Sequence, residues 1–187
     1  MRGKVVWHTT MSLDGYIADQ NDDLGWAFGH SGSLSPSLDE TVGRTGAVLM
    51  GRRLYDLGAA NLPEAKLYGG AYSGPVFVVT HRPPGASGGD VTFVTTGVHD
   101  AVGQARTAAD GRDVIVMGAS VASQCLAEGL VDELLVHQVP VLLGRGLRLY
   151  EGPVRHPVNL ETVEVTPGGQ ITNLRYRVWV PHLTVLG

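Results

Sequence analysis

The stretch VIVMGASVASQCLAEGL (residues 114–130) holds the most suggestive chemistry in the chain. An apolar run stops at Gly118, small residues follow, and a helical pattern begins at once. Such a junction lets a large anion approach the backbone, where the unpaired N–H groups of a helix start face a phosphate. Two other runs share this grammar. GAVLMGRRLYD (46–56) passes from an apolar strand through Gly51 into Arg52 and Arg53, and PVFVVTHRPPG (75–85) closes a strand on Thr80, His81 and Arg82. The arginines offer charge-assisted, bidentate hydrogen bonds to a second phosphate. A dinucleotide carrying an extra ribose phosphate uses both features, which makes NADPH the natural candidate. Each feature alone has a plainer explanation: a tight turn for the glycine, a solvated face for the paired arginines. GASVAS is not G-x-G-x-x-G, and the downstream acid of the NAD fingerprint is not evident. The recurrence at three strand ends is what points to a ligand.

The elements that must position these ends read as follows. KVVWHTT (4–10) is a first strand, rich in β-branched and aromatic residues. MSLDGYIADQNDDLGW (11–26) reads as a long polar loop, with Asp14 as a turn residue holding its base. SPSLDETVGR (35–44) has a helix start, with Ser35 as cap and Pro36 in the first turn. VTFV (91–94) is a short strand and VHDAVGQARTAADG (98–111) an amphipathic helix stopped by Gly111. The helix after Gly118 is expected from Val121 to Glu128, capped by Ser120, with Gly129 just past its end. VDELLVHQVPVLLGRG (131–146) is a strand that breaks at Pro140 or at the glycines. NLETVEVTPGGQITNLRYRVWV reads as a hairpin in which Leu174, Tyr176, Val178 and Val180 alternate with Arg175, Arg177 and Trp179. Strands and helices alternate, then strands alone finish the chain. That order predicts a single α/β domain, a mostly parallel sheet with an antiparallel edge and helices on both faces. In such a sheet, ligands sit beyond the carboxyl ends of the strands.

The bulk numbers narrow the partners. The 187 residues carry a formal net charge of −4 with no block of Lys or Arg, so neither nucleic acid nor an acidic membrane surface is an expected partner. Cys125 is the one cysteine, which removes an internal disulfide and a thiolate metal cage. The histidines lie at 8, 30, 81, 99, 137, 156 and 182 without ligand spacing, and no metal site is expected. The N-terminal residues lack the apolar core of a signal peptide, and no apolar stretch nears the roughly 18 residues of a membrane helix; the cytoplasm is the default.

The motif order resembles the dihydrofolate reductase superfamily, and within it the branch that holds the reductase domain of bacterial riboflavin biosynthesis. The resemblance rests on MSLDGYIA, VLMGRRLYD, VVTHRP, VMGAS, EGLVDELLVHQVPVLLGRG and the closing hairpin, in the expected order over nearly the whole chain. It implies a central eight-stranded sheet, a homodimer, and NADPH across the strand ends. Gly51, Arg52 and Arg53 match the position at the adenosine phosphate, and Thr80, His81 and Arg82 the neighbouring wall. Gly118, Ala119, Ser120, Val121 and Ala122 match the loop under the pyrophosphate; Thr10, Ile17 and Ala18 match the region near the nicotinamide. Leu54 stands where folate enzymes often carry a phosphate-binding Thr.

On the substrate side, riboflavin-pathway members often place a Glu two residues before the glycine; here that position is Val116. Folate enzymes carry a carboxylate in the helix after the lid, for which the nearest acids are Asp39 and Glu40. His137 falls where folate enzymes present a polar side chain to the pterin, and a histidine there could donate a proton or orient a water. Trp26 could stack on a flat heterocycle or belong to the core; Cys125 reads as core. The implied activity is hydride transfer from NADPH to a C=N bond of a planar heterocycle, folate-like or riboflavin-precursor-like. An imine reductase of a specialised pathway, a non-catalytic nucleotide-binding homologue and a flavin protein are the alternatives.

Overall fold

The computed structural model describes residues 2–28, 36–61, 67–84, 91–152 and 157–179. The expected cap Ser35 and the last hairpin residue Val180 lie outside them.

The first strand, β1 (Val5–Ser12), sits inside an eight-stranded sheet. On one side it pairs in parallel with β6 (Asp113–Met117), which pairs in parallel with β3 (Thr45–Gly51), then β4 (Val76–Val79) and β5 (Val91–Val94). On the other side β1 pairs in parallel with β7 (Glu133–Val139); the hairpin β10 (Ile171–Val178) and β9 (Leu160–Gly168) then closes the order β5-β4-β3-β6-β1-β7-β10-β9, with β10 antiparallel to both neighbours. The expected mostly parallel α/β sheet with an antiparallel edge is what forms. Continuous apolar runs such as VVW and VIV make its centre, because strands buried on both faces need no polar alternation.

Side-chain alternation divides the core between two faces. Val5, Trp7, Leu49, Val114, Val116, Leu134 and Val136 pack on one face with α4 (Val98–Ala109) and α5 (Ala119–Ala127). Val98, Ala101, Val102, Ala105 and Ala109 recur at helical spacing to form the buried stripe of α4. The other face carries Val6, Val48, Met50, Ile115 and Leu135, against which Val42 of α2 (Pro36–Arg44) and Leu54 and Tyr55 of α3 (Arg52–Asn61) pack. Leu49 and Ile115 are fully buried, each removing side-chain area worth about 2–3 kcal/mol. Glu133, 1% exposed, sits between Lys4 and Arg175 and neutralises them at the sheet's amino end.

Three elements differ from the sequence reading. The polar segment after β1 is not loop throughout: β2 (Tyr16–Ala18) pairs with β8 (Leu147–Arg148) in a separate two-stranded sheet, followed by the short α1 (Gly25–Phe28). Asp14 does more than hold its own turn. Its carboxylate accepts from Ser12 Oγ at 2.6 Å, Leu143 N at 3.1 Å and Gly144 N at 2.7 Å, so it pins the 140s loop as well. Those bonds, the Ser12 hydroxyl first, lower its pKa to about 2. Finally, α5 begins at Ala119, with Gly118 at the N-cap, so Ser120 lies inside the first turn rather than capping it. The cause is Gly118's φ of 84°, which turns the chain straight from strand into helix. Pro140 ends β7, as its missing N–H predicts. The edge strand β9 is exposed along most of its length.

Candidate active site

Because β4, β3 and β6 are adjacent and parallel, the segments at Thr80, Gly51 and Gly118 all emerge at one edge of the sheet. Gly51 and Gly118 line a single cleft of about 120 Å³, walled by Ile17, Ala18, Leu24, Leu57 and Leu147 with Arg53 and Ser120 as polar members. A Cβ on Gly51 would stand 3.2 Å from Val121 Cγ2, and one on Gly118 3.5 Å from Leu54 Cδ2. Gly51 is therefore tightly packed, whereas at Gly118 the glycine is required by the left-handed φ of 84° and a Cβ would meet only ordinary contact. No side chain caps α5, which leaves the start of a nine-residue helix facing this edge. Ala119, Val121 and Ala122 are buried, anchoring that first turn to the core while Ser120 is exposed.

The arginines are already engaged within the protein. Arg52 donates from Nε to Asp56 Oδ1 at 2.7 Å and from Nη1 to the Arg82 carbonyl at 2.8 Å, lying 5.9 Å from the Phe93 ring centroid. It thereby joins the start of α3 to the end of β4. Thr80 is buried and accepts the Arg82 backbone N–H at 3.1 Å, whereas His81 and Arg82 extend into solvent. Arg53 donates to both carboxylate oxygens of Asp22, its Nε at 3.1 Å from Oδ2. Asp22 lines the same cleft and has a left-handed φ of 64°. Its loop is shaped by Asp19, whose Oδ1 accepts from Asn21 N at 2.7 Å and Asp23 N at 2.8 Å. Sequence reasoning missed Asp22, since nothing local announces a partner thirty-one residues away.

Beyond β1 and β7 the remaining candidates separate. Thr10 is opposite His137 in the ladder, half-buried on the sheet face that carries α2 and α3. Ile17 and Ala18 are buried beside the cleft in β2. Trp26 lies in α1 and donates from Nε1 to the Asp23 carbonyl at 3.1 Å, which ties it to the loop. Asp39 and Glu40 are exposed on α2 beside the buried Thr41, so neither is brought to His137. Val116 is fully buried on the α5 face. Cys125 is core, with its thiol pushed up to about 12 by burial. Among the described residues, no three His, Cys, Asp or Glu side chains are grouped to hold a metal ion.

His137 has a different setting from the expected proton donor. Its Nδ1 is 2.6 Å from Asn173 Oδ1 and its Nε2 is 2.7 Å from His8 Nε2; His8 Nδ1 is in turn 2.6 Å from the Tyr68 hydroxyl. Both ring nitrogens of His137 are therefore committed to protein partners. Burial lowers its pKa, with the Asn173 hydrogen bond opposing and Arg175 adding to the depression. Burial also drives His8 down to about 3, reinforced by His137 and Arg175. Both rings are neutral at neutral pH, which removes the imidazolium a general acid requires. His8, Tyr68 and Asn173 were missed in the sequence. The available signal was His8 and Thr10, two polar residues that follow Val6 on one face of β1.

This architecture is shared with solved proteins. A putative riboflavin biosynthesis protein from Shewanella sp. PV-4 superposes with a TM-score of 0.79 at 23% identity, covering 95% of this chain and 99% of its own. The bifunctional diaminohydroxyphosphoribosylaminopyrimidine deaminase/5-amino-6-(5-phosphoribosylamino)uracil reductase of Thermotoga maritima matches at 0.68 and 18% identity, over 95% of this chain and 57% of its own. Enterococcus faecalis dihydrofolate reductase, complexed with NADP(H), matches at 0.62 and 16% identity, over 95% and 98%. The fold is thus dihydrofolate reductase-like. Residues 3–173 match the model of the RibD C-terminal domain, and the chain belongs to that family.

Proposed function

We propose that this protein is an NADPH-dependent reductase acting on a C=N or similar bond of a small planar heterocycle of the riboflavin-precursor or folate type. The observation that carries the reading is the convergence of Gly51, Gly118 and the uncapped start of α5 on one cleft, with Arg52, Arg53 and Arg82 along the same edge. The RibD and dihydrofolate reductase likenesses support it.

The cradle suits the cofactor chemically. Gly118, with no Cβ and a left-handed φ, lets a pyrophosphate lie against the backbone, where the first-turn N–H groups of Ala119, Ser120 and Val121 favour negative charge. Arg53, Arg52 and Arg82 supply cationic donors for the additional ribose phosphate, with Thr80 steadying the Arg82 backbone. Ile17, Ala18 and Leu147 give an apolar wall. When bound, NADPH supplies the hydride, and the protein's task is orientation and electrostatics. His137, with both nitrogens occupied, acts through position rather than as the acid. With Asp39 in solvent, the proton for the reduced nitrogen comes from water. A homodimer completes the proposal.

The test has two parts. NADPH fluorescence titration reads binding, and loss of NADPH absorbance with dihydrofolate, pyrimidine precursors and a panel of cyclic imines reads turnover. The reading predicts binding that favours NADPH over NADH, with turnover on at least one planar C=N substrate. Failure to bind either nucleotide overturns it; binding without turnover on any substrate would favour a non-catalytic homologue.

A further inference from the structure

The part-buried chain Tyr68–His8–His137–Asn173 has a direction that its geometry fixes. Asn173 Nδ2 donates to the Thr166 carbonyl at 3.3 Å, which turns its Oδ1 towards His137. An amide oxygen only accepts, so His137 Nδ1 carries the hydrogen. In a neutral ring Nε2 is then bare, and His8 must donate to it from its own Nε2 across 2.7 Å. His8 Nδ1 is bare in consequence, and the Tyr68 hydroxyl donates inward across 2.6 Å. Every hydrogen in the row points towards Asn173. The array therefore cannot pass a proton outward to a ligand.

What it leaves at its outer end is an acceptor. The Tyr68 hydrogen is spent on His8, its phenol is kept neutral by burial, and its oxygen retains lone pairs. The backbone is bent to hold it there: Tyr68 has φ 55° and ψ 37°, followed by Gly69 and Gly70 at 65° and 95°. A non-glycine residue in this region is strained, and such strain gathers at ligand sites. His137, opposite Thr10 in the ladder, places the row in the carboxyl-terminal halves of β1 and β7, the end of a parallel sheet beyond which ligands sit. We infer that Tyr68 is a specificity-determining residue: its oxygen accepts a hydrogen bond from an N–H or O–H of the heterocycle, and the directed row behind it excludes ligands that offer only acceptors there. His8, His137 and Asn173 are positioning residues. The inference rests on the reductase reading for the identity of the ligand as a heterocycle.

The experiment pairs a ring-N–H pyrimidinedione with its N-methylated analogue, titrated against the whole protein by NMR with ¹⁵N-labelled histidine. The expected spectrum has His137 protonated at Nδ1 and His8 at Nε2. The N–H compound should bind about tenfold tighter than the methylated one, and Tyr68→Phe should erase that preference. The inference is overturned by the opposite tautomers, by equal affinities, by a preference that survives Tyr68→Phe, or by binding of neither compound at millimolar concentration. The tautomers are read on the unmutated protein, so misfolding of the variant cannot hide the answer. NADPH titration in parallel judges the reductase reading separately: loss of cofactor binding with the N–H preference intact rejects that reading alone.

Discussion

Acid should unfold this protein through His8 well before its carboxylates are protonated. The ring is driven to about 3 in the folded state against an ordinary 6.5. As pH falls below 6.5 the unfolded chain takes up a proton that the folded chain refuses, so stability is lost progressively from 6.5 down towards 3. At pH 4.5 the unfolded histidine is protonated about a hundred to one, whereas the folded one is still neutral. The difference is about 3 kcal/mol from this one side chain, a large share of a typical domain's stability. His137 shifts in the same direction and adds to it. The decisive perturbation is His8→Gln, which keeps an acceptor for Tyr68 and a donor for His137 but does not titrate. Urea unfolding at pH 7.5 and pH 4.5 should show the unmutated protein losing about 3 kcal/mol more than the variant over that interval. The absolute stability of the variant is immaterial, since only the two pH slopes are compared. Equal slopes refute the reasoning, because they mean the histidine protonates in place and the row is not dry.

Other perturbations test the cleft and its supports. Gly118→Ala puts a Cβ on a residue at φ 84° and should cost about 1 kcal/mol or more, read by urea midpoint, while weakening NADPH in fluorescence titration. Arg53→Ala should reduce NADPH affinity by about ten- to a hundredfold, the worth of a hydrogen bond to a charged group. Asp22→Asn should move affinity the other way, tightening NADPH severalfold by releasing Arg53; weaker binding there would mean that Asp22 supports the site instead of competing with phosphate. Asp14, held at about 2, stabilises the fold above its ordinary 3.8, an effect lost as pH falls through that window. Asp14→Ala should accordingly make the 142–146 loop the earliest site of limited proteolysis at neutral pH.

What could be read in advance was what is written locally. Gly51 and Gly118 announce themselves as breaks between an apolar strand and a helix, and parallel strand order brings both to one edge. Ser120 misled because a cap-forming side chain is a weaker signal than a glycine already in the turning conformation. The row from Tyr68 to Asn173 was invisible for another reason. His8 and His137 meet only because the register places Thr10 opposite His137 and His8 opposite Leu135, which puts the rings diagonally on one face. Register between strands 129 residues apart is a property of the whole sheet. The Asp22–Arg53 pair depends likewise on where the loop after β2 comes to rest.

The outermost strand, Leu160–Gly168, exposes Val163 and Val165 and, among the described residues, leaves one row of backbone N–H and C=O groups without a neighbouring strand in the sheet. Such a border invites another chain to continue the sheet. Glu161, paired with Arg177 at 2.8 Å, and Glu164, 3.9 Å from Arg175, stand along it as charges that an incoming strand would have to desolvate, and Pro167 removes a donor near its far end. The border is thereby guarded by charge and a proline, so a Glu161→Val, Glu164→Val double variant should self-associate at concentrations where the unmutated protein does not, read by light scattering.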